Sequence, residues 1–249
     1  MSAMLSILGL RARHAVARAG WGGLLWVACS GGAQADTFIE AFEAARQTLG
    51  TSTWSVQLEV VSDRSITVAV SAAYRNGACR VILLDSSAYV ADTLRMLDDE
   101  LRRPYLEALF AHELGHCEDM HSAHMTPDVT AGGTSLNVVT PVRRIEGDPA
   151  LETPARRVLR AEILADATAA LYLAERHPEL ADMLVAFHLG RRAQRSEQDP
   201  DHDTSRCLAG RDLVRRGDED IHGAAQRIRR ECADDGTALR DSEGRASTR

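Results

Sequence analysis

The chain has 249 residues, a formal net charge of −7 and a mean hydropathy of −0.22, values that suit one domain with a polar tail rather than a chain of membrane-spanning segments. Its basic residues form only short arginine pairs, and with the acidic balance this argues against nucleic-acid binding. All the basic residues in the charge count are arginine, which carries no functional weight.

Residues 1–35 read as an export signal. Arg11, Arg13 and Arg18 form a basic region, 21–29 is apolar, and Ala33-Gln34-Ala35 before Asp36 fits a small-x-small cleavage site. The apolar run is too short to span a membrane. The expected location is periplasmic or secreted, with a lipid anchor through Cys29 as the alternative; Trp26 is a poor leading residue for lipidation. Cleavage near Ala35 removes three arginines and Cys29, leaving Cys79, Cys117, Cys207 and Cys232. Four cysteines in an oxidising compartment allow two disulfides in three connectivities. A Cys207–Cys232 bridge would staple the C-terminal helices, and Cys79–Cys117 would tie a strand to a helix.

The domain is expected over 36–232. A helix is expected at 36–49, then strands at 55–61 and 66–73 with Ser62-Asp63-Arg64-Ser65 as their turn. Asn76-Gly77 is a hairpin signal before a strand at 79–84. Helices follow at 91–101 and 104–119. The segment 125–153 is polar and rich in Gly, Pro and Thr, a loop bordering a cleft or a surface insertion. Further helices are expected at 154–176, 178–195, 206–216 and 218–232, and the tail 233–249 is polar enough for disorder. No internal repeat is present. The fold class is α+β: a small N-terminal sheet packed on a mainly helical core.

The helix at 104–119 carries His112-Glu113-Leu114-Gly115-His116, the HExxH pattern of zinc-dependent hydrolases. Residues four apart share a helix face, so both imidazoles can address one metal ion, and Glu113 can reach an activated water as general base. Gly115 leaves room beside the metal. The alternative is an ordinary amphipathic helix with two surface histidines.

A catalytic zinc takes three protein ligands and keeps one position open. The metzincin register needs Gly at 119 and His at 122, where this chain has Asp119 and Ser122. Glu162, in the apolar helix at 154–176, is the better third ligand. Asp166, four residues on, shares its face and can hold a ligand histidine through the other ring nitrogen. The alternative for Glu162 is a solvent-facing helix carboxylate. His121, His124 and His202 rank lower as ligands. Cys117 is disfavoured because it points about 100° away from His116 on a helix.

With these residues the chain resembles the gluzincin group of zinc metallopeptidases, which combine HExxH with a downstream ExxxD helix, here Glu162-Ile163-Leu164-Ala165-Asp166. Within that group it looks most like the minimal-domain peptidases related to the CAAX prenyl protease and its mitochondrial and periplasmic relatives, whose glutamate helix reads ExxAD. The resemblance implies a zinc-metallopeptidase core and a substrate-pairing edge strand before the metal helix, here 78–84. It also implies an oxyanion-stabilising loop histidine followed by Thr/Ser and Arg, here His202-Asp203-Thr204-Ser205-Arg206. Tyr74-Arg75-Asn76-Gly77 stands where those peptidases carry a Pro-Gly-Gly segment.

The expected activity is therefore peptide-bond hydrolysis by an exported zinc-dependent endopeptidase. His112, His116 and Glu162 would bind Zn2+, and Asp166 would orient a ligand histidine. Glu113 would be the base, with His202, or failing it Tyr172, at the oxyanion. The expected partner is a polypeptide, misfolded or of the cell envelope, with no nucleic acid. The competing expectation is a latent or non-catalytic zinc-binding chaperone or assembly factor on the same fold.

Overall fold

A computed structural model describes residues 32–50, 55–61, 70–75, 77–84, 87–124 and 154–234. The expectations for residues 1–31 (with Cys29), 62–69, Asn76, 125–153 and 235–249 lie outside them. The last four residues of the expected leader, 32–35, are the first of helix α1 (Gly32–Thr48).

Val56, Leu58 and Val60 alternate with more polar neighbours, and strand β1 (Ser55–Val61) buries these three side chains on one face. Strand β2 (Val70–Arg75) and strand β3 (Ala78–Leu84) form a hairpin, with Gly77 at a φ of 76° in the turn. The sheet order is β1-β3-β2, with β1 parallel and β2 antiparallel to β3. This corrects the expectation that 78–84 is an edge strand. Both its edges are hydrogen-bonded, and its run of Cys79, Val81, Ile82, Leu83 and Leu84 is what a central strand carries. The successive strands β1 and β2 are not neighbours. Arg80 turns away from the core and lies 3.6 Å from Glu59 of β1.

The buried sheet face meets two helices. Phe38, Ala41, Phe42 and Ala45 recur at helical spacing along α1 and pack with Leu106, Phe110 and Leu114 of helix α3 (Asp99–His124). Phe42 and Phe110 meet edge to face at 5.7 Å. Helix α2 (Ala88–Arg95) is capped by Ser87 and stops before Met96. Arg102 donates from Nε to the carbonyls of Leu94 and Leu97 and so covers the end of α2. α3 begins five residues before the expected start at Pro104. Leu101 upstream of the proline is already buried with Tyr105 and Leu184.

Helices α4 (Pro154–Arg176) and α5 (Pro178–Arg195) occupy the expected ranges. A 3-10 turn (Pro200–His202) leads to helix α6 (Ser205–Leu208), and helix α7 (Ile221–Asp234) follows. The expected helix at 206–216 is cut to four residues. Gly210 and Gly217 adopt φ of 79° and 59°, left-handed conformations that end or interrupt a helix. α4 runs against both α3 and α7, making it the element shared by the sheet side and the C-terminal side. Among the described residues no helix is long and apolar enough to cross a membrane.

Two disulfides join the parts. Cys79–Cys117 ties β3 to α3 and Cys207–Cys232 ties α6 to α7, with loops of 38 and 25 residues. In the chain-entropy picture these closures are worth about 4 and about 3.5 kcal/mol. They point to an oxidising, extracytoplasmic environment.

Glu107 anchors α3 to the α4–α5 corner. Buried at 4% exposure, it accepts from Tyr172 Oη at 2.8 Å and Arg103 Nε at 3.1 Å, and His177 Nε2 lies 2.8 Å away. Burial alone would raise its pKa, but the bonds from His177, Tyr172 and Arg103 pull it below the ordinary value. A carboxyl depressed in the folded state stabilises above its unfolded pKa of ~4.3, and that contribution is lost as pH falls through the folded pKa. Glu107→Gln should cost about 1–3 kcal/mol at pH 7 in urea unfolding. The gap to wild type should shrink steadily below pH ~4.3.

Candidate metal centre

α3 is buried nearly all round through its middle, so its histidines are not surface groups: His112 and His116 are 5% and 6% exposed. Glu162 and Asp166, one turn apart on α4, are 6% and 2% exposed, which removes the solvent-facing alternative for Glu162. The two helices can approach this closely because residue 115 is glycine. A Cβ there would lie 3.0 Å from Thr168 Oγ1 and 3.1 Å from the Ala165 Cα. The space at Gly115 thus serves the helix crossing; the room expected beside a metal is taken by α4.

Across that crossing three donor groups converge. His112 Nε2 and His116 Nε2 are 3.2 Å apart, His116 Nε2 is 3.3 Å from Glu162 Oε1, and His112 Nε2 is 3.6 Å from Glu162 Oε2. Zinc bonds of ~2.0–2.1 Å arranged tetrahedrally place neighbouring ligand atoms about 3.3 Å apart. The two imidazole nitrogens, and His116 Nε2 with Oε1, stand at that spacing, while His112 is nearest the other carboxylate oxygen, Oε2; the set could hold a metal ion.

Protonation chemistry agrees with this. His112 Nδ1 is fully buried 2.7 Å from Asp166 Oδ1, close but not aligned as a hydrogen bond. An ionised carboxylate only accepts, so it favours the N–H on Nδ1 and leaves the Nε2 lone pair aimed at His116 and Glu162. Burial holds His112 down at about 4 against the pull of Asp166. Burial also opposes a charge on His116, but Glu162 raises it to about 9. Glu162 and Asp166 resist the desolvation that would neutralise them. His116 and Arg192 keep the first well below the usual carboxylate range, and Arg192 and His188 do so for the second. The protein groups alone thus demand one positive charge among the three donors, where an ion would sit. Glu113 is 5% exposed, and burial pushes its carboxyl up to about 7.

The loop histidines separate. His202 Nε2 lies 3.4 Å from Glu162 Oε1, its Nδ1 is 2.6 Å from Asp199 Oδ1, and the ring is over one-third exposed. It borders the donor set without joining it. Its loop is fixed by Thr204, which is fully buried and donates to Asp166 Oδ2 at 2.6 Å, while Arg206 lies 3.7 Å from Asp203. His121 is still within α3, 3.0 Å from Tyr74 Oη. His124 ends the helix, and Cys117 is consumed by its disulfide. Tyr172 is corrected: its hydroxyl is committed to Glu107 and the side chain is fully buried, so it is not an oxyanion donor.

Two residues absent from the sequence reading complete the site. His188 Nε2 is 2.8 Å from Asp166 Oδ1, and Arg192 bridges Glu162 and Asp166. Both lie on the inward stripe of α5 that runs through Ala181 and Leu184, a period legible in the sequence although their partner was not.

No protein-family model, curated protein or solved structure matches the chain.

Gly115→Ala should force α3 from α4, because one of the contacts is backbone. The expected loss is about 1–3 kcal/mol in chemical unfolding, with weaker zinc binding by chelator competition. A variant as stable and as tight-binding as wild type would show that the crossing has slack.

Proposed function

We propose that the chain is an exported zinc-dependent endopeptidase of the gluzincin type, with His112, His116 and Glu162 holding the ion. The observation that carries this is the convergence of two imidazoles and the Glu162 carboxylate, at separations of 3.2–3.6 Å, with a buried carboxyl, Glu113, on the intervening helical turn. Three ligands leave a coordination position open, the mark of a catalytic rather than a closed structural site. Zinc bound there would supply Lewis acidity and bring the pKa of water towards ~7.

The chain's own residues have separable tasks. Asp166 fixes the ring of His112 through Nδ1 and so directs Nε2 inwards. Glu113 holds the proton taken from water on its carboxylate and returns it to the leaving amine; burial places its affinity near neutrality, where both directions are accessible. His202, partly exposed and 3.4 Å from Glu162 Oε1, would stabilise the oxyanion from the solvent side. The extended polypeptide cannot add to β3, whose edges are both occupied.

One observation favours a second reading. The near-complete burial of His112, Glu113, His116 and Glu162 suits a zinc site that is shut at rest, in a latent enzyme or a non-catalytic envelope chaperone.

The test is hydrolysis of casein by the zinc-loaded chain beside Glu113→Gln. The variant should keep one zinc and lose at least ~10²–10⁴-fold of the turnover. Equal turnover in both would remove Glu113 from the chemistry. Zinc bound in both without turnover in either would favour the second reading.

A further inference from the structure

The Arg192 guanidinium touches both carboxylates of the candidate centre. Its Nη2 lies 2.8 Å from Glu162 Oε2 and 3.0 Å from Asp166 Oδ1, and its Nε lies 3.1 Å from Asp166 Oδ2. The side chain is four-fifths buried, and α5 carries it in from outside both α3 and α4.

Asp166 is saturated by this contact. Its Oδ1 faces His112 Nδ1, His188 Nε2 and Arg192, and its Oδ2 receives Thr204 and Arg192. The planar fork is a fixed cation that reaches two carboxylates at once, which an ammonium cannot do with the same geometry. The two oxygens of Glu162 differ in their partners: Oε2 accepts from Arg192 at 2.8 Å and lies 3.6 Å from His112 Nε2, whereas Oε1, among the described residues, meets only imidazoles, 3.3 Å from His116 Nε2 and 3.4 Å from His202 Nε2. His112, Asp166 and His188 also bring donor atoms close enough together for a cation, and it is Arg192 that occupies their carboxylate.

We infer that Arg192 is a positioning residue of the metal centre: by bonding Oε2, the Glu162 oxygen nearer His112, it leaves Oε1 as the oxygen free to bind the ion, and it locks Asp166 behind His112. The inference rests on the metal reading of the site. A cation beside a ligand also repels the ion it helps to place. Fixed ligand geometry outweighs this repulsion, as it does where hydrogen-bond partners of metal ligands are removed and affinity falls.

The experiment compares the full chain with Arg192→Met, Arg192→Lys and, as control, Arg191→Met, whose native side chain reaches Thr93 and Met96 instead. Zinc affinity is measured by competition with a chromophoric chelator, and the cobalt-loaded proteins are compared by visible absorption. In Arg192→Met the zinc Kd should rise ~10–100-fold. Its cobalt bands should also weaken, as both oxygens of a freed Glu162 reach the ion and raise its coordination number. Arg192→Lys should recover part of the affinity but not the spectrum, and Arg191→Met should match wild type in both.

An unchanged cobalt spectrum in Arg192→Met, or an affinity equal to or above wild type, would overturn the inference and leave Arg192 a structural ion pair. Full recovery of both readouts by lysine would overturn it too, since charge alone would then suffice. If Arg192→Met does not fold, the lysine variant decides by the same two readouts. Failure of the wild-type chain to bind zinc would instead remove the metal reading itself.

Discussion

Two ionised carboxylates buried within one helical turn are the constraint around which this molecule is arranged. Glu162 and Asp166 lie on the face of α4 that presses against α3, and each would be neutralised by burial were no cation near. Arg192 supplies one fixed positive charge between them. Imidazoles meet the rest: His188 lies 2.8 Å from Asp166, and His116, its pKa raised by Glu162, lies 3.3 Å from Glu162. A divalent cation held by His112, His116 and Glu162 would satisfy the same demand.

That demand is met only while α3 and α4 stay close, and several features serve this end. Gly115 removes the side chain at the crossing, and Glu107 pins the earlier part of α3 through Tyr172 and His177 to the end of α4. The Cys79–Cys117 bridge begins one residue after His116 and fastens the same helix to the central strand from its other side. α3 is thus held from the sheet, from α4 and from the α4–α5 corner.

The parts legible in the sequence are those whose logic is local. His112 with His116, and Glu162 with Asp166, are each four apart on one helix, so their shared faces follow from the helical repeat alone. The ranges of α4 and α5 were readable from Pro154, Pro178 and the apolar period between them. What stayed hidden depends on contacts between distant segments. The edge role expected of 78–84 came from the resemblance, and nothing near it announces that β1 pairs with it in parallel, although its apolar run suits a centre. His188 and Arg192 lie on a readable stripe of α5, but their meaning comes only from Asp166, more than twenty residues away. Tyr172 read as a free hydroxyl because the acceptor that claims it, Glu107, lies 65 residues earlier in the chain. The helix expected at 206–216 stops at Leu208, because Gly210 takes a left-handed conformation a helix cannot use.

The central claim, that two imidazoles and one carboxylate form the zinc site, is tested most directly by zinc K-edge X-ray absorption on the full chain loaded with one equivalent of zinc. The account predicts a nitrogen and oxygen shell at about 2.0–2.1 Å, outer scattering from two imidazoles and no sulfur at about 2.3 Å. A sulfur shell, scattering from fewer than two imidazoles, or zinc that is not retained would contradict it.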